Sequence, residues 1–237
     1  MLGGDNPIMS PTTWIAASAG RKAKSCRAVG SVPLCLALLA GAGGCAAPTP
    51  DATGLTRLFN GRDLAGWEVL KDIFYDRAGK VFVRNGELIL AAGEELTGIR
   101  WKGEFPTDDF EISLEAKRVV GGDFFCGMTF PVEKSHATLI LGGWGGSVVG
   151  ISNVDGYSAS ENDTATAVEF KNNRWYRIVV LVTDGHLDVW IDDRKLVEME
   201  TEGRKFNVWP QQEDARPFGI TTFCTTGALR NITLRRL

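Results

Sequence analysis

Histidine is nearly absent from this 237-residue chain, which carries only His136 and His186, far apart in sequence. That scarcity excludes a poly-histidine zinc or iron centre, which needs several imidazoles at close spacing. A basic excess is missing too: 26 Lys and Arg face 29 Asp and Glu, for a formal net charge of −3. Nothing in that balance advertises a nucleic-acid partner, because phosphate recognition calls for a clustered basic face. No stretch holds a 3.6-residue apolar period, and no segment repeats at a fixed length, which disfavours a propeller. Oxygen ligands are plentiful by contrast. Asp, Glu and Asn leave room for calcium or another divalent cation, although no spacing specifies a ligand set.

The one extended apolar stretch, Ala28 through Ala42, follows the basic residues Arg21, Lys22, Lys24 and Arg27 and leads through small residues into Cys45. A basic start, a short apolar centre and a small-residue cleavage site make an export signal rather than a membrane-spanning helix. Ala42-Gly43-Gly44-Cys45 resembles a lipobox, in which the Cys is lipidated and becomes the first mature residue, with Ala at the position usually held by Leu. Cleavage without lipidation is the alternative. Residues 1–45 are therefore expected to address the chain to the bacterial cell envelope, anchored to the membrane by lipid on Cys45. Residues 46–55 read as a flexible tether, and 56–237 as one domain. Of the remaining cysteines, Cys126 and Cys224 belong to that domain; an oxidising compartment permits a disulfide, and two buried thiols are the alternative.

From about residue 80 the sequence alternates with period two. Val81–Arg84 and Glu87–Leu90 flank Asn85-Gly86, and 177–183 and 186–191 flank Asp184-Gly185, both two-residue hairpin signals. Phe110-Glu111-Ile112-Ser113-Leu114-Glu115 separates an apolar from a polar face. Further strands are expected near 123–130, 137–142, 147–152, 165–170, 195–201, 216–223 and 228–235. Many short strands between Gly, Asn and Asp turns indicate an all-β sandwich or barrel.

The segment Leu58-Phe59-Asn60-Gly61-Arg62-Asp63-Leu64-Ala65-Gly66-Trp67 resembles the opening signature of the 3-keto-disaccharide hydrolase-like family. Val83–Leu88, Asp109–Ile112, Trp175-Tyr176-Arg177, Trp190-Ile191-Asp192 and Leu229–Leu234 follow in that family's order. The resemblance implies a concanavalin A-like jelly-roll sandwich of two antiparallel sheets with a concave outer face. It also implies carbohydrate as partner and, for some members, cleavage of 3-keto-glycosides. Two family patterns are missing. Gly150–Gly156 stands where many members carry Glu-x-Gln, and Thr222–Gly227 stands where many carry Gln-x-His-Gly.

The C2 hydrogen of a 3-keto sugar is acidified, so cleavage runs by proton abstraction and loss of the C1 substituent. It needs a base near C2 and a donor or cation for the C3 oxygen, not the carboxylate pair of an ordinary glycosidase. The polar segment 152–163 is the richest source of such groups, with Asp155 and Glu161 as the acid/base candidates and Asn162 as a substrate ligand; a solvated loop is the alternative. It is not an EF-hand, because setting Gly156 sixth puts Ile151 first and Asn162 twelfth. Trp144, within Gly142–Gly146, either stacks on a sugar ring or tucks into the core. Alternation puts Asp188 and Trp190 on one strand face and Glu115 on another, where they line a groove or simply meet solvent. Two functions fit: a cell-envelope protein cleaving 3-keto-glycosides, or a non-catalytic, lectin-like carbohydrate-binding lipoprotein.

Overall fold

The computed structural model describes residues 48–237; Cys45 and the expected export signal lie outside the described residues. The strands are, in chain order, β1 (Leu55–Arg57), β2 (Trp67–Val69), β3 (Val81–Arg84), β4 (Glu87–Leu90) and β5 (Leu96–Trp101). There follow β6 (Phe110–Val120), β7 (Cys126–Val132), β8 (Ser135–Gly142), β9 (Val148–Ser152) and β10 (Thr166–Ala167). The last five are β11 (Tyr176–Thr183), β12 (His186–Ile191), β13 (Arg194–Glu200), β14 (Gly219–Phe223) and β15 (Thr226–Arg236). They form two antiparallel sheets. The eight-stranded sheet runs β13-β12-β11-β6-β15-β4-β3 with β1 also on β15, and the seven-stranded sheet runs β10-β9-β8-β7-β14-β5-β2. This is the all-β sandwich that the resemblance implies.

Alternation builds the core. Phe110, Ile112, Leu114 and Ala116 of β6 point between the sheets, opposite Met128, Phe130, Leu139 and Ile151 of the other sheet. The opening signature owes its residues to packing. Trp67 donates its indole N–H to the Leu58 carbonyl at 2.8 Å and meets Trp101 edge-on at 5.3 Å. Asn60 Oδ1 accepts the N–H groups of Arg62 and Asp63, closing the turn between the buried Phe59 and Trp67. Gly66 sits at φ 82° with the Trp101 ring 2.4 Å from where a Cβ would lie, so no other residue fits there.

The outer face of the seven-stranded sheet is closed by the protein's own loops. A transverse row of paired residues crosses it, Glu68, Arg100, Gly219, Thr129, Thr138 and Ser152, running from β2 to β9. The segment from Trp209 through a short 3-10 turn, Pro210–Ala215, lies over this row. Trp209 Nε1 donates to Ser152 Oγ at 3.1 Å, Thr221 Oγ1 lies 3.1 Å from Gln212 Oε1, and Tyr75 donates its hydroxyl to the Gln211 carbonyl at 2.8 Å. Leu70, Tyr75, Leu96 and Ala215 form a second, smaller core beneath it. Beside β9, Asn162 fastens the loop 153–165. Its Nδ2 donates to the carbonyls of Ile151 and Ser158, both at 2.8 Å, and its Oδ1 accepts from Thr164.

Three expectations need correction. The strand near 165–170 shrinks to Thr166–Ala167, and β1, β2 and β5 were not anticipated. Cys126 and Cys224 are both free, so there is no disulfide, and they are not a buried pair either, because Cys224 is exposed. In the Asp184-Gly185 hairpin only Gly185 takes a positive φ, whereas both Asn85 and Gly86 do.

Two stability predictions follow from this packing. A Cβ on Gly219 would lie 2.5 Å from the Ala215 carbonyl oxygen and 2.8 Å from that of Ile99. Gly219→Ala must push backbone, not a flexible side chain, and should cost about 1–3 kcal/mol in urea unfolding. Asn162→Ala should cost about 1–3 kcal/mol by the same assay, because it strands buried carbonyls and the Thr164 hydroxyl.

Candidate functional site

The sequence-predicted residues fall into three separate places. Asp155, Glu161 and Asn162 share the loop after β9. Arg204 reaches over that loop, its Nε 2.6 Å from Asp155 Oδ2 and its Nη1 2.9 Å from Asp163 Oδ2. The Lys205 N–H, at 2.8 Å, and the Arg204 guanidinium hold the Asp155 carboxyl below its ordinary range, and Arg204 does the same for Asp163. Glu161 accepts from Ser158 Oγ at 2.5 Å. Asn162 bonds within its own loop and to the Ile151 carbonyl of β9. The segment is thus a fastened loop whose carboxylates serve local structure.

Asp188, Trp190 and Glu115 lie on the outer face of the eight-stranded sheet, away from that loop. Lys195 lies 3.3 Å from Asp188 and 4.9 Å from the centre of the Trp190 ring. Arg230 and Asn231 both donate to Glu115, and they depress its pKa. Trp175 lies between Lys117 and Arg230, with cation-to-ring distances of 4.3 and 4.2 Å. This face is a lattice of ion pairs rather than an open groove. Trp144 occupies a third place, half-exposed in the turn after β8.

A concave polar site joins residues that sequence reasoning missed. A shallow cavity of about 440 Å³ is lined by Glu68, Val69, Leu70, Lys71, Asp72, Arg100 and Asp214. Its volume falls within the range of small-ligand pockets, about 300–1,000 Å³. Glu68 and Arg100 are the first two residues of the transverse row, and they form an ion pair at 2.5 Å that lowers the Glu68 pKa. Asp72 comes from the loop after β2, where it accepts the Phe74 N–H at 3.0 Å, and Asp214 from the 3-10 turn. Alternation in Trp67-Glu68-Val69 could have put Glu68 on the outer face. No local signal could have brought Asp214 to it from 146 positions on. Carboxylates and cations converge here at one edge of a sheet.

Among the described residues no group of three or more His, Cys, Asp or Glu side chains is arranged to hold a metal ion. His136, on the outer face of β8, has both ring nitrogens buried without a partner; burial and Arg216 push its pKa below the ordinary value.

Solved structures share the architecture. A glycosyl-hydrolase-like protein of Parabacteroides distasonis superposes with a TM-score of 0.52 at 16% identity, covering 78% of this chain and 95% of its own. The Crh5 transglycosylase in complex with NAG gives 0.52 at 13% identity, with coverage of 81% and 87%. The exoplasmic/lumenal domain of VIP36, in its Ca2+/Man3GlcNAc-bound form, gives 0.51 at 9% identity, with coverage of 80% and 90%. At such identities these likenesses establish the fold alone. No curated protein matches the sequence. Residues 54–235, nearly the whole sandwich, match the family described as the 3-keto-alpha-glucoside-1,2-lyase-like domain, and the chain belongs to that family.

Proposed function

We propose that this protein cleaves 3-keto-glycosides, or related oxidised oligosaccharides, at the cavity between β2, β5 and the 3-10 turn. The observation that carries the reading is the convergence there of Asp72 and Asp214 with Arg100 and Lys71. Elimination needs such a combination of base and cation. A carboxylate, Asp214 by preference, takes the C2 proton. The electron pair left on C2 delocalises onto the C3 oxygen, where Arg100 and Lys71 stabilise the negative charge. As the enolate collapses, the C1–C2 double bond forms, the C1–O bond breaks, and the departing oxygen takes the proton that the carboxylate removed from C2. The products are an unsaturated 3-keto sugar and the free alcohol, and addition of water to the former completes a net hydrolysis.

A second reading, a lectin-like carbohydrate-binding module, has one observation in its favour. Every carboxylate whose pKa is displaced among the described residues is displaced downward, as for Glu68, Asp155 and Glu115. Depressed carboxylates bind hydroxyls and cations well and take protons poorly. The expected experiment follows release of the alcohol from a 3-keto-glycoside and from its unoxidised parent. Cleavage should be confined to the keto form. Asp214→Asn should slow it about 10²–10⁴-fold and Arg100→Gln about 10²–10³-fold, while Asp155→Asn and Glu161→Gln leave it running. Full rates in both cavity variants would remove the cavity from the chemistry. Sugar binding without cleavage of either substrate would favour the lectin-like module.

We further propose that the domain works in the cell envelope, held by lipid on Cys45. In a bacterial host fed labelled palmitate, the full chain should take up label and sediment with membranes. Cys45→Ser should lose the label and move to the soluble fraction. Labelling that survives the substitution would exclude this anchor.

A further inference from the structure

The turn that joins β8 to β9 holds a bulky residue in a conformation that bulky residues avoid. Trp144 has φ 49° and ψ 54°, in the left-handed region, with Gly142, Gly145 and Gly146 also at positive φ. An aromatic residue there is strained, and such strain persists only where the surroundings impose it. They do so from two sides. Arg118 Nη1 donates to the Gly146 carbonyl at 3.1 Å and Nη2 to that of Phe170 at 2.6 Å, pinning the back of the turn. Asp123 Oδ2 accepts the Gly145 N–H at 3.3 Å from the front, while its Oδ1 accepts the Phe124 N–H at 2.7 Å.

The side chain so held stays outside the core. Trp144 is 49% exposed and takes no part in either core cluster. The turn itself is open at Gly145, where nothing lies within 4 Å of the place a Cβ would take. The end of β6 abuts the same turn, the Gly122 carbonyl oxygen lying 3.2 Å from a Cβ on Gly146, and there Val120 is exposed as well. A strained, half-exposed indole on a turn held from the front by a carboxylate is not placed there by core packing. It has the parts of a sugar platform. The apolar C–H face of a pyranose stacks on an aromatic surface, and its ring hydroxyls donate to a carboxylate such as Asp123.

We propose that Trp144, with Asp123, forms a carbohydrate-binding site separate from the cavity at Glu68, Arg100 and Asp214, and that it takes a pyranose unit of a neutral polysaccharide. The site gathers polymer; it contributes nothing to bond cleavage. Native electrophoresis of the full chain through gels containing starch, a mixed-linkage β-glucan or a galactomannan provides the test. At least one polymer should retard the protein. Trp144→Ala should weaken that interaction about tenfold or more, whereas Asp214→Asn should be retarded like the wild type. Trp144→Gly supplies an independent reading of the strain: it should lose retardation while Tm rises by about 2–4 °C, because glycine accepts the left-handed conformation. Retardation by none of the polymers, or retardation that survives Trp144→Ala, overturns the site. Retardation that depends on Trp144 in a protein that cleaves no keto-glycoside would uphold this site and remove the lyase reading alone.

Discussion

The close approach of the 209–215 segment to the seven-stranded sheet depends on a missing side chain. Gly219 sits at the middle of the transverse row, and the Ala215 carbonyl oxygen occupies the space that a Cβ would take. Around it the row is completed by Thr129, Thr138 and Ser152, hydroxyl residues that are fully or nearly fully buried. Small residues let the crossing segment lie flat, and the hydroxyls of Ser152 and Thr221 bond the Trp209 and Gln212 side chains of that segment. The cavity follows from the same contact. Asp214 shares the cavity lining with Glu68 and Arg100, and the residue after it rests on Gly219. The fold, the covered face and the candidate site therefore share one point of support.

Much of the fold could be read in the sequence because its determinants are local. Asn85 and Gly86 both adopt the positive φ that their dipeptide announces. Phe110, Ile112 and Leu114 alternate with Glu111, Ser113 and Glu115 as the burial of β6 shows. β5 escaped notice because Thr97, Gly98 and Arg100 interrupt its apolar residues; it is covered on both sides, by the core and by the Tyr75 loop, so neither face is polar in a regular way. The site was harder to see for a different reason. Alternation tells which residues share a face, not which sheet the strand joins. Glu115 and Trp190 were correctly separated from their apolar neighbours, yet their face belongs to the sheet opposite the cavity. Asp72 and Asp214 come together only through long-range packing, for which a single sequence holds no periodic signal.

Charge is used here chiefly as a fastening. Arg204 ties Asp155 and Asp163, Arg230 ties Glu115, Arg235 ties Glu111, and Lys117 ties Glu87. Exposed pairs of this kind contribute about 0–1 kcal/mol each, so their number says little about stability. They do say something about chemistry. A carboxylate committed to an arginine is a poor proton acceptor, and the polar loop 152–163, so rich in apparent catalytic groups, spends them on holding itself in place. The Glu68–Arg100 pair is bound in the same way, but it shares its cavity with Asp72, Asp214 and Lys71, so a ligand there meets both signs of charge at once.

Strand β15 occupies a telling place in the order of assembly. It lies between β6 and β4 and also carries β1, while β14 lies between β7 and β5. A nascent chain that stops short of these two strands has a gap in the middle of each sheet: β3–β4 and β2–β5 form pairs that cannot join the rest, and β1 has no partner at all. The eight-stranded sheet therefore cannot form piece by piece from the N-terminus. Such long-range pairing forms slowly, so the hairpins come first and the two sheets close only when their last strands arrive.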